Sequence, residues 1–351
     1  MAHRPVRRVT AAEVARRAGV SPATVSYVLN GRHGVSDQVR RQILQIAVDL
    51  EHPAALRIND DTRSKVLGLI LTDLANPFYT ALGAGTIDAA RAAGNEVFVA
   101  HTQEDPDTLR HVVDAMIARR VDGVVIAVLH SDNGDIVRRM RSARLPFVQL
   151  SRRIPLLQAD FVGIDDRAAG QELMHHVLDH GHREVAVLAG PPSSSASTAR
   201  TAGFRAALAD RGVPLTTDRL VYAYLDEDGG HRAIERVLAS GTPPTAVVCG
   251  SDAIAAGALG ALGRHGLRVP EDIAVTGFDG VFPDTSVLGT LTTIRQPHAA
   301  MAAAAVTQLI RRIDGSGGPP HEDIHSHQLR LRTSCGCQQS RKESSKKEVG
   351  Q

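Results

Sequence analysis

The stretch from Ser21 to Asn30 carries side chains suited to contacting nucleic acid. Ser21 before Pro22 is typical of a helix start, because serine caps the first turn and proline tolerates the first helical position. An outward face of the predicted helix combines a small methyl group with hydroxyls that can reach base edges. That face consists of Pro22, Ala23, Ser26 and Tyr27. We expect Ser21, Thr24 and Asn30 to hold backbone phosphates instead.

Two more short helices are predicted around this one. Thr10 with Glu13 has the pattern of a capping box and begins a helix from Ala11 to Ala18, and Ser36 begins another that ends near Leu50. Two short helices joined by a glycine-containing turn, braced by a third, predict a helix-turn-helix whose second helix enters the major groove. Thr10 and Ser36 also belong to the expected DNA-contacting set. We assign residues 1–51 to this domain, with a three-helix bundle that binds no DNA as the alternative.

The charge distribution favours the DNA-binding interpretation. Residues 1–58 carry nine arginines against four acidic residues, whereas the whole chain has a net charge of only +2. A positive excess concentrated in one small domain is what contacts to phosphates require.

Residues 66–334 alternate apolar β runs with alanine-rich helical segments, which predicts an α/β domain with two lobes built on parallel sheets. Ligands of such sheets bind beyond the carboxyl ends of the strands, here in the cleft between the lobes. The predicted strands are Val66–Leu71, Val97–Ala100, Gly123–Leu129, Phe147–Leu150, Phe161–Ile164, Glu184–Leu188, Val221–Tyr224, Ala246–Cys249 and Ile273–Gly277.

Other function classes fit the sequence less well. No apolar run is long enough to cross a bilayer, no signal-peptide core is visible, and three cysteines do not suggest a disulfide framework. We therefore expect a cytoplasmic protein without membrane association. A solute-binding protein of a transport system is the alternative, but it needs an export signal and leaves the helix-turn-helix unused. An enzyme is not expected, since no Gly-x-Gly-x-x-Gly follows an early strand, and neither is a cofactor.

The N-terminal motif resembles the helix-turn-helix signature of the lactose/galactose repressor (LacI/GalR) family. The resemblance rests on Val9-Thr10, Glu13-Val14-Ala15, Ala18-Gly19-Val20-Ser21, Thr24-Val25-Ser26, Val28-Leu29-Asn30-Gly31 and Val35-Ser36. It continues to about Thr333 through Asn76-Pro77-Phe78, Gly163-Ile164-Asp165, Gly277-Phe278-Asp279 and Leu291–Gln296. Membership implies a transcriptional repressor that binds a pseudo-palindromic DNA operator as a homodimer. It also implies that a small-molecule effector, a sugar or another polar metabolite, controls DNA binding.

The same resemblance suggests effector-binding residues. We expect Phe78 to cover one face of the ligand, Arg152 and Arg200 to bind its polar groups, and Asp252 and Asp279 to accept its hydroxyls. A surface ion pair or a helix cap is the alternative role for each polar residue. The chain has Ser151 where members often carry aspartate, Leu225 where an aromatic is common, and no tryptophan.

The linker at residues 52–65 departs most from the family. Members usually have a stretch here that folds on DNA into a hinge helix, whose leucine enters the minor groove. Leu56 is the corresponding candidate and Arg57 a backbone contact, but the segment is shorter and ends in Asp60-Asp61. Acidic residues near phosphates oppose binding, so the sequence leaves open whether this hinge helix forms.

Two groups of potential metal ligands stand outside this scheme. One comprises His175, His176, His180 and His182, and the other His321, His325, His327, Cys335 and Cys337. His176 and His180 have the spacing of one helix face, but no acidic partner signature accompanies them. A terminal strand followed by a loose tail is the preferred interpretation of the second group, so we expect no metal site. Residues 335–351 are predicted to be a flexible tail.

Overall fold

The computed structural model describes residues 10–29, 35–50, 63–316 and 318–337. The chain divides into two compact units, Met1–Lys65 and Val66–Gln351. Among the described residues, no helix combines the length and the apolar character that a membrane span requires.

The first unit contains helices α1 (Ala11–Ala18), α2 (Pro22–Leu29) and α3 (Asp37–Asp49). Gly19, with φ of 68°, ends α1 in the left-handed conformation that glycine adopts without steric cost. The three helices share a small apolar core, which consists of Val14, Ala15, Ala18, Val25, Val28, Leu29, Ile43 and Ala47. This confirms the three predicted helices, whose ends differ from the prediction by at most one residue.

The capping box predicted at Thr10 is wrong. Thr10 occupies the N-cap position of α1, but its side chain makes no capping hydrogen bond. Its carbonyl oxygen accepts from the backbone N–H of Glu13 at 3.0 Å instead. The pattern therefore located the helix start correctly without identifying the interaction that forms it.

The second unit contains two six-stranded sheets. Its strands β1 to β12 are Val66–Leu71, Glu96–His101, Gly123–Ile126, Phe147–Leu150, Asp160–Ile164, Val185–Ala189, Leu220–Tyr222, Ala246–Cys249, Ala274–Asp279, Thr292–Arg295, Glu322–His325 and Gln328–Arg330. The first sheet has the order β11-β5-β4-β3-β1-β2 and the second β12-β10-β9-β8-β6-β7. Neighbouring strands are parallel except β12, which is antiparallel to β10.

Helices connect these strands and cover the sheets. Helices α4 to α11 span Pro77–Ala92, Pro106–Ala118, Gly134–Ser142, Asp166–Asp179, Ser195–Asp210, Glu227–Ala239, Asp252–Arg264 and His298–Ile313. The chain crosses from one sheet to the other between β5 and β6, between β10 and β11, and between β11 and β12. The two sheets are therefore the two lobes predicted from the sequence, and the carboxyl ends of their strands approach a common cleft.

The structure differs from the sequence prediction at the periphery of the sheets. Strand β3 ends at Ile126 rather than Leu129, β10 was not predicted, and the single terminal strand expected before the tail is two strands, β11 and β12. The last two are short, and polar side chains interrupt their apolar pattern because they lie at sheet edges. The predicted tail also begins too early, because Cys335 is buried in a 3₁₀ turn of this unit.

Candidate functional site

Helix α2 presents the face that the sequence predicts for DNA contact. Pro22, Ala23 and Ser26 are exposed, and the Tyr27 side chain is 41% exposed, while the valines on the other side are buried in the core. Polar and small groups therefore project from a helix that is fixed by its apolar face, as reading a groove requires.

The start of α2 is built by its own hydroxyls. Ser21 Oγ accepts from the backbone N–H of Thr24 at 3.0 Å and lies 2.8 Å from Thr24 Oγ1. This confirms Ser21 as the N-cap. Ser36 is exposed immediately before α3. The other predicted contacts, Asn30, Leu56 and Arg57, lie outside the described residues.

A cavity of about 250 Å³ lies in the cleft of the second unit. The first lobe contributes residues that follow β1 and β2: Thr72, Asp73, Asn76, Tyr79, Gln103 and Glu104. The second contributes residues that follow β6 and β7: Pro191, Ser193, Tyr224, Leu225 and Asp226. A larger cavity of about 790 Å³, lined partly by Arg153, Arg167 and Ser195, continues the cleft on the other side of Ser193. Both cavities lie at carboxyl ends of strands, where ligands of this fold class bind.

Arg200 on α8 is the centre of a buried ionic cluster behind the cleft. Its Nε donates to Asp166 Oδ1 at 2.8 Å, and its Nη1 lies 3.0 Å from Asp279 Oδ1. Nη1 also donates to the carbonyl oxygen of Gly250 at 2.8 Å. The guanidinium lies 3.8 Å from the ring centroid of Phe278, within range of a cation–π interaction. Arg200 is thus held by contacts on several sides.

Burial raises the pKa values of three carboxyl groups in this region. Burial raises the pKa of Asp279 to about 7, although Arg200 opposes the rise. Burial likewise raises the pKa of Asp252 to about 6 and raises that of Asp166. Burial therefore outweighs the attraction of the nearby guanidinium groups, which is that of Arg200 for Asp166 and Asp279 and that of Arg332 for Asp252.

Asp252 is engaged in a structural role. One carboxylate oxygen accepts from Thr293 Oγ1 at 2.6 Å and the other from the backbone N–H of Val281 at 2.8 Å. The side chain therefore ties the start of α10 to β10 and to the loop after β9, which leaves it poorly placed to accept ligand hydroxyls.

A second buried arginine connects directly to the smaller cavity. Arg152, 1% exposed, donates through Nη1 to Glu104 Oε1 at 2.8 Å, and His130 Nε2 lies 2.7 Å from Glu104 Oε2. Burial raises the pKa of Glu104, but His130 and Arg152 outweigh it and the pKa is lowered overall. Nη2 of Arg152 has no hydrogen-bond partner within the described part of the chain. A ligand acceptor in the cleft would satisfy this donor.

Phe78 also lies behind the cavity and not in its wall. It is 4% exposed, and its ring makes edge contacts with Tyr79 at 5.1 Å and His298 at 5.4 Å between centroids. Tyr79 is the ring that lines the cavity. In this structure Phe78 therefore orients Tyr79.

Strained backbone occurs in both lobes beside the cleft. Ser151 follows β4 with φ of 65°, and Asp279 ends β9 with φ of 116°. Non-glycine residues in such conformations persist only where surrounding contacts fix them, and they cluster at ligand sites and switches.

Hydrogen bonds across the cleft join the two lobes. Asn76 Nδ2 donates to the carbonyl oxygen of Leu225 at 2.7 Å, while its Oδ1 caps α4 by accepting from Phe78 N. On the other side, Ser195 Oγ accepts from the backbone N–H of Arg153 at 2.9 Å. These bonds hold the lobes in the conformation described here.

Residues that sequence reasoning missed form much of the cavity wall. Tyr79, Glu104 and Tyr224 were not predicted, although Tyr224 is 65% exposed at the cleft. Each follows or adjoins the end of a predicted strand, and that position was the available signal. The sequence did not show which of these residues face the cavity and which are buried behind it.

Comparisons with known proteins agree with both units. Residues 64–337 match the family model described as periplasmic binding proteins and sugar binding domain of LacI family. Residues 10–54 match the model of bacterial regulatory proteins, lacI family.

Similar proteins extend over nearly the whole chain. An HTH-type transcriptional regulator MalR of Streptomyces coelicolor is 33% identical over 338 residues, which are 92% of this chain and 95% of that one. An HTH-type transcriptional repressor PurR of Pasteurella multocida is 30% identical over 312 residues, 87% and 92% of the two chains. A solved transcriptional regulator CelR–cellobiose complex superposes with a TM-score of 0.71 at 27% identity, covering 93% of this chain and 100% of the other.

Proposed function

This chain belongs to the LacI family of bacterial regulatory proteins, and we propose that its effector is a small neutral polyhydroxylated metabolite of the sugar class. As a member it is a helix-turn-helix DNA-binding transcriptional regulator. The proposal concerns which ligand controls it and which residues bind that ligand.

The carboxylates in the smaller cavity are the observation that carries the proposal. Asp73, Glu104 and Asp226 line it together with neutral polar side chains, and no lysine or arginine is among its lining residues. Carboxylates accept hydrogen bonds from hydroxyl groups and repel anions. Tyr79 and Tyr224 add aromatic surface against which a sugar ring can pack. A phosphorylated or carboxylated ligand fits this wall poorly.

The buried arginines support the cavity from behind. Arg152 fixes Glu104, and Arg200 holds the end of β9 through Asp279. Together with Phe78 behind Tyr79, they act on the ligand through the residues they position. Among the effector residues expected from the sequence, Arg152 is linked to the cavity wall through Glu104, and its buried Nη2 has no hydrogen-bond partner in the described part of the chain.

The relatives are consistent with such a ligand. CelR was solved with cellobiose, and a ribose operon repressor of Haemophilus influenzae is 30% identical over 306 residues. A planar heterocyclic base is the main competing ligand class, because the two tyrosines of the cavity could also stack on such a ring.

Regulation follows from linkage between the cleft and DNA binding. A ligand that binds one lobe arrangement more tightly shifts the population toward it by its differential affinity. We infer that the functional regulator is a homodimer that represses from a pseudo-palindromic operator. Edge strands support dimer formation, because β2 exposes Phe98 and Val99 and β7 exposes Tyr222. The minor-groove role of Leu56 and Arg57 stays a prediction.

The test combines ligand screening with selected DNA. Randomised duplexes captured by the full-length protein should yield a two-fold symmetric site, and a neutral sugar should raise the melting temperature and change affinity for that site. Each sugar is paired with its phosphate ester, and purine bases form a separate arm. Binding only to phosphate esters or only to purines would refute the sugar proposal without affecting the DNA-binding assignment.

A further inference from the structure

The potential ligands that the sequence analysis set aside in separate groups meet in the folded chain. His176 and His180 come from the end of α7, and Cys335 and Cys337 come from the last described segment, yet one ligand atom from each lies within 4.8 Å of all the others. His176 Nε2 is 3.3 Å from Cys335 Sγ and 3.5 Å from Cys337 Sγ, and His180 Nε2 is 3.2 Å from Cys337 Sγ. Sequence separation concealed this group.

We propose that His176, His180, Cys335 and Cys337 bind a structural zinc ion. Two imidazoles and two thiolates form a ligand set typical of closed, four-coordinate zinc sites. Zinc–sulfur and zinc–nitrogen distances of about 2.3 and 2.0–2.1 Å place a nitrogen and a sulfur ligand about 3.5 Å apart in a tetrahedron. The nitrogen–sulfur distances of 3.2–3.5 Å already have this scale, so side-chain adjustments suffice to close the site.

Local structure presents both ligand pairs in the required directions. His176 lies in the last turn of α7 and His180 at its C-cap, a spacing of four residues that places both rings on one side, 4.7 Å apart between centroids. Gly336 between the two cysteines has φ of 86°, so the chain turns tightly there. Both thiols consequently lie on the same side of the turn, facing the two imidazoles.

The cysteine segment is anchored independently of the metal. Ser334 Oγ donates to the carbonyl oxygen of Val275 at 2.6 Å and accepts from the backbone N–H of Thr292 at 2.9 Å. Thr292 Oγ1 also donates to Cys335 Sγ at 3.0 Å, a contact that stabilises a metal-bound thiolate. Half of the site is thus pre-organised by β9 and β10.

Three of the remaining candidate ligands have other partners. His327 Nε2 lies 2.8 Å from Glu172 Oε2, and His175 Nε2 lies 3.3 Å from Asp210 Oδ2. His182 contacts Thr245 Oγ1. A bound zinc would therefore be specific to the four residues and would fasten residues 335–337 to the second lobe through α7.

The test measures zinc directly in tag-free, full-length protein kept under reductant. We expect one zinc per chain by elemental analysis, and cobalt substitution should give a charge-transfer band for two thiolates. His180→Gln and Cys337→Ser each should weaken zinc binding by at least about tenfold, since even the loss of a partner that only supports a ligand costs 10–100-fold. The matched control is His175→Gln, one position from His176 on the same helix, which should retain the wild-type affinity.

Melting curves provide a second measurement. Chelation should lower the melting temperature of the wild type by several degrees and that of His180→Gln by clearly less, because a more weakly bound metal stabilises the folded state less. Wild-type protein that retains no zinc overturns the proposal. The proposal is also overturned if zinc stoichiometry and affinity are unchanged in both His180→Gln and Cys337→Ser. It is equally overturned if zinc affinity falls as much in His175→Gln as in these two variants.

Discussion

Replacing Arg200 with methionine removes the positive charge from the buried cluster while keeping an unbranched apolar side chain. The change leaves Asp166, Asp279 and the carbonyl of Gly250 without the donor that they share. These side chains are at most 8% exposed, so water cannot replace the lost bonds. Removing one partner of a buried pair costs about 3–5 kcal/mol of folding free energy. For a unit as long as Val66–Gln351, an unfolding entropy of about 2.1 cal/mol/K per residue converts this to a melting temperature lower by about 5–8 °C.

The pH dependence of this loss tests its cause. Asp279 has a pKa of about 7 in the folded chain, above its ordinary value of about 3.9, so the folded state binds the extra proton. Its contribution to stability is therefore present at low pH and declines as pH rises from about 4 to about 7. Without the guanidinium the folded pKa rises further, and the decline continues to higher pH. One additional pKa unit is about 1.4 kcal/mol, so Arg200→Met should be more destabilising at pH 8 than at pH 5 by at least about 1 kcal/mol.

Urea denaturation followed by circular dichroism measures both effects, since the chain has no tryptophan for fluorescence. Arg205→Met, on the exposed side of the same helix, is the control and should cost little. A loss below about 1 kcal/mol at pH 8 would refute a structural role of the cluster. An equal loss at pH 5 and pH 8 would show that the unpaired carboxylates are not its cause.

Other variants test the remaining parts of the molecule. Tyr27→Ala should reduce discrimination between the preferred base and the other bases at one operator position by about 1–3 kcal/mol, as measured by selection from randomised DNA, and should leave non-specific affinity nearly unchanged. Equal weakening on all sequences would instead show that Tyr27 contacts only the DNA backbone. Asn76→Ala removes the hydrogen bond to the Leu225 carbonyl, which joins the two lobes, and should speed sugar release several-fold without altering DNA selection. Ligand dissociation kinetics measure the release rate, and an unchanged rate would show that this hydrogen bond does not keep the cleft closed on its ligand. On α10, Gly257→Ala should destabilise the fold strongly, because the new Cβ would lie 1.8 Å from the Glu227 carbonyl oxygen. Gly263→Ala, whose Cβ would have no atom within 4 Å, should stabilise the fold by about 0.5–1 kcal/mol. Denaturation curves that do not separate these two variants would contradict the close packing of α9 on α10.

Local physical rules account for how much of the fold could be predicted. The helices around Pro22 and the strand Val66–Leu71 follow from caps, apolar periodicity and continuous buried runs, which depend on neighbouring residues alone. Strand β11 could not be found in this way, because Glu322–His325 is polar and becomes a strand by pairing with β5. Such pairing brings together segments more than a hundred residues apart in the sequence, so the periodicity within one segment cannot predict it.

The candidate site shows the same limit in another form. The family resemblance suggested Arg152, Arg200 and Phe78 as ligand-binding residues, yet the structure buries them behind the cavity wall. The cost of burying an unpaired charge explains why the two arginines are linked to the wall. A buried guanidinium requires carboxylate partners, and Arg152 pairs with Glu104, which lines the cavity.

Under the proposed function, that linkage would allow the cleft to sense its ligand. A hydroxyl that donates to Glu104 competes with Arg152 and His130 for the same carboxylate, and an acceptor that reaches Nη2 of Arg152 supplies the partner that this atom lacks. Either contact changes the balance of charge around a guanidinium that lies 5.8 Å from the centroid of the Tyr79 ring. Because Asn76, from the first lobe, bonds to Leu225 of the second, a shift of α4 that accompanies Tyr79 would strain the bond between lobes. With the ligand site proposed above, electrostatic rearrangement behind the wall would therefore change lobe geometry without direct contact between the ligand and Phe78 or Arg200.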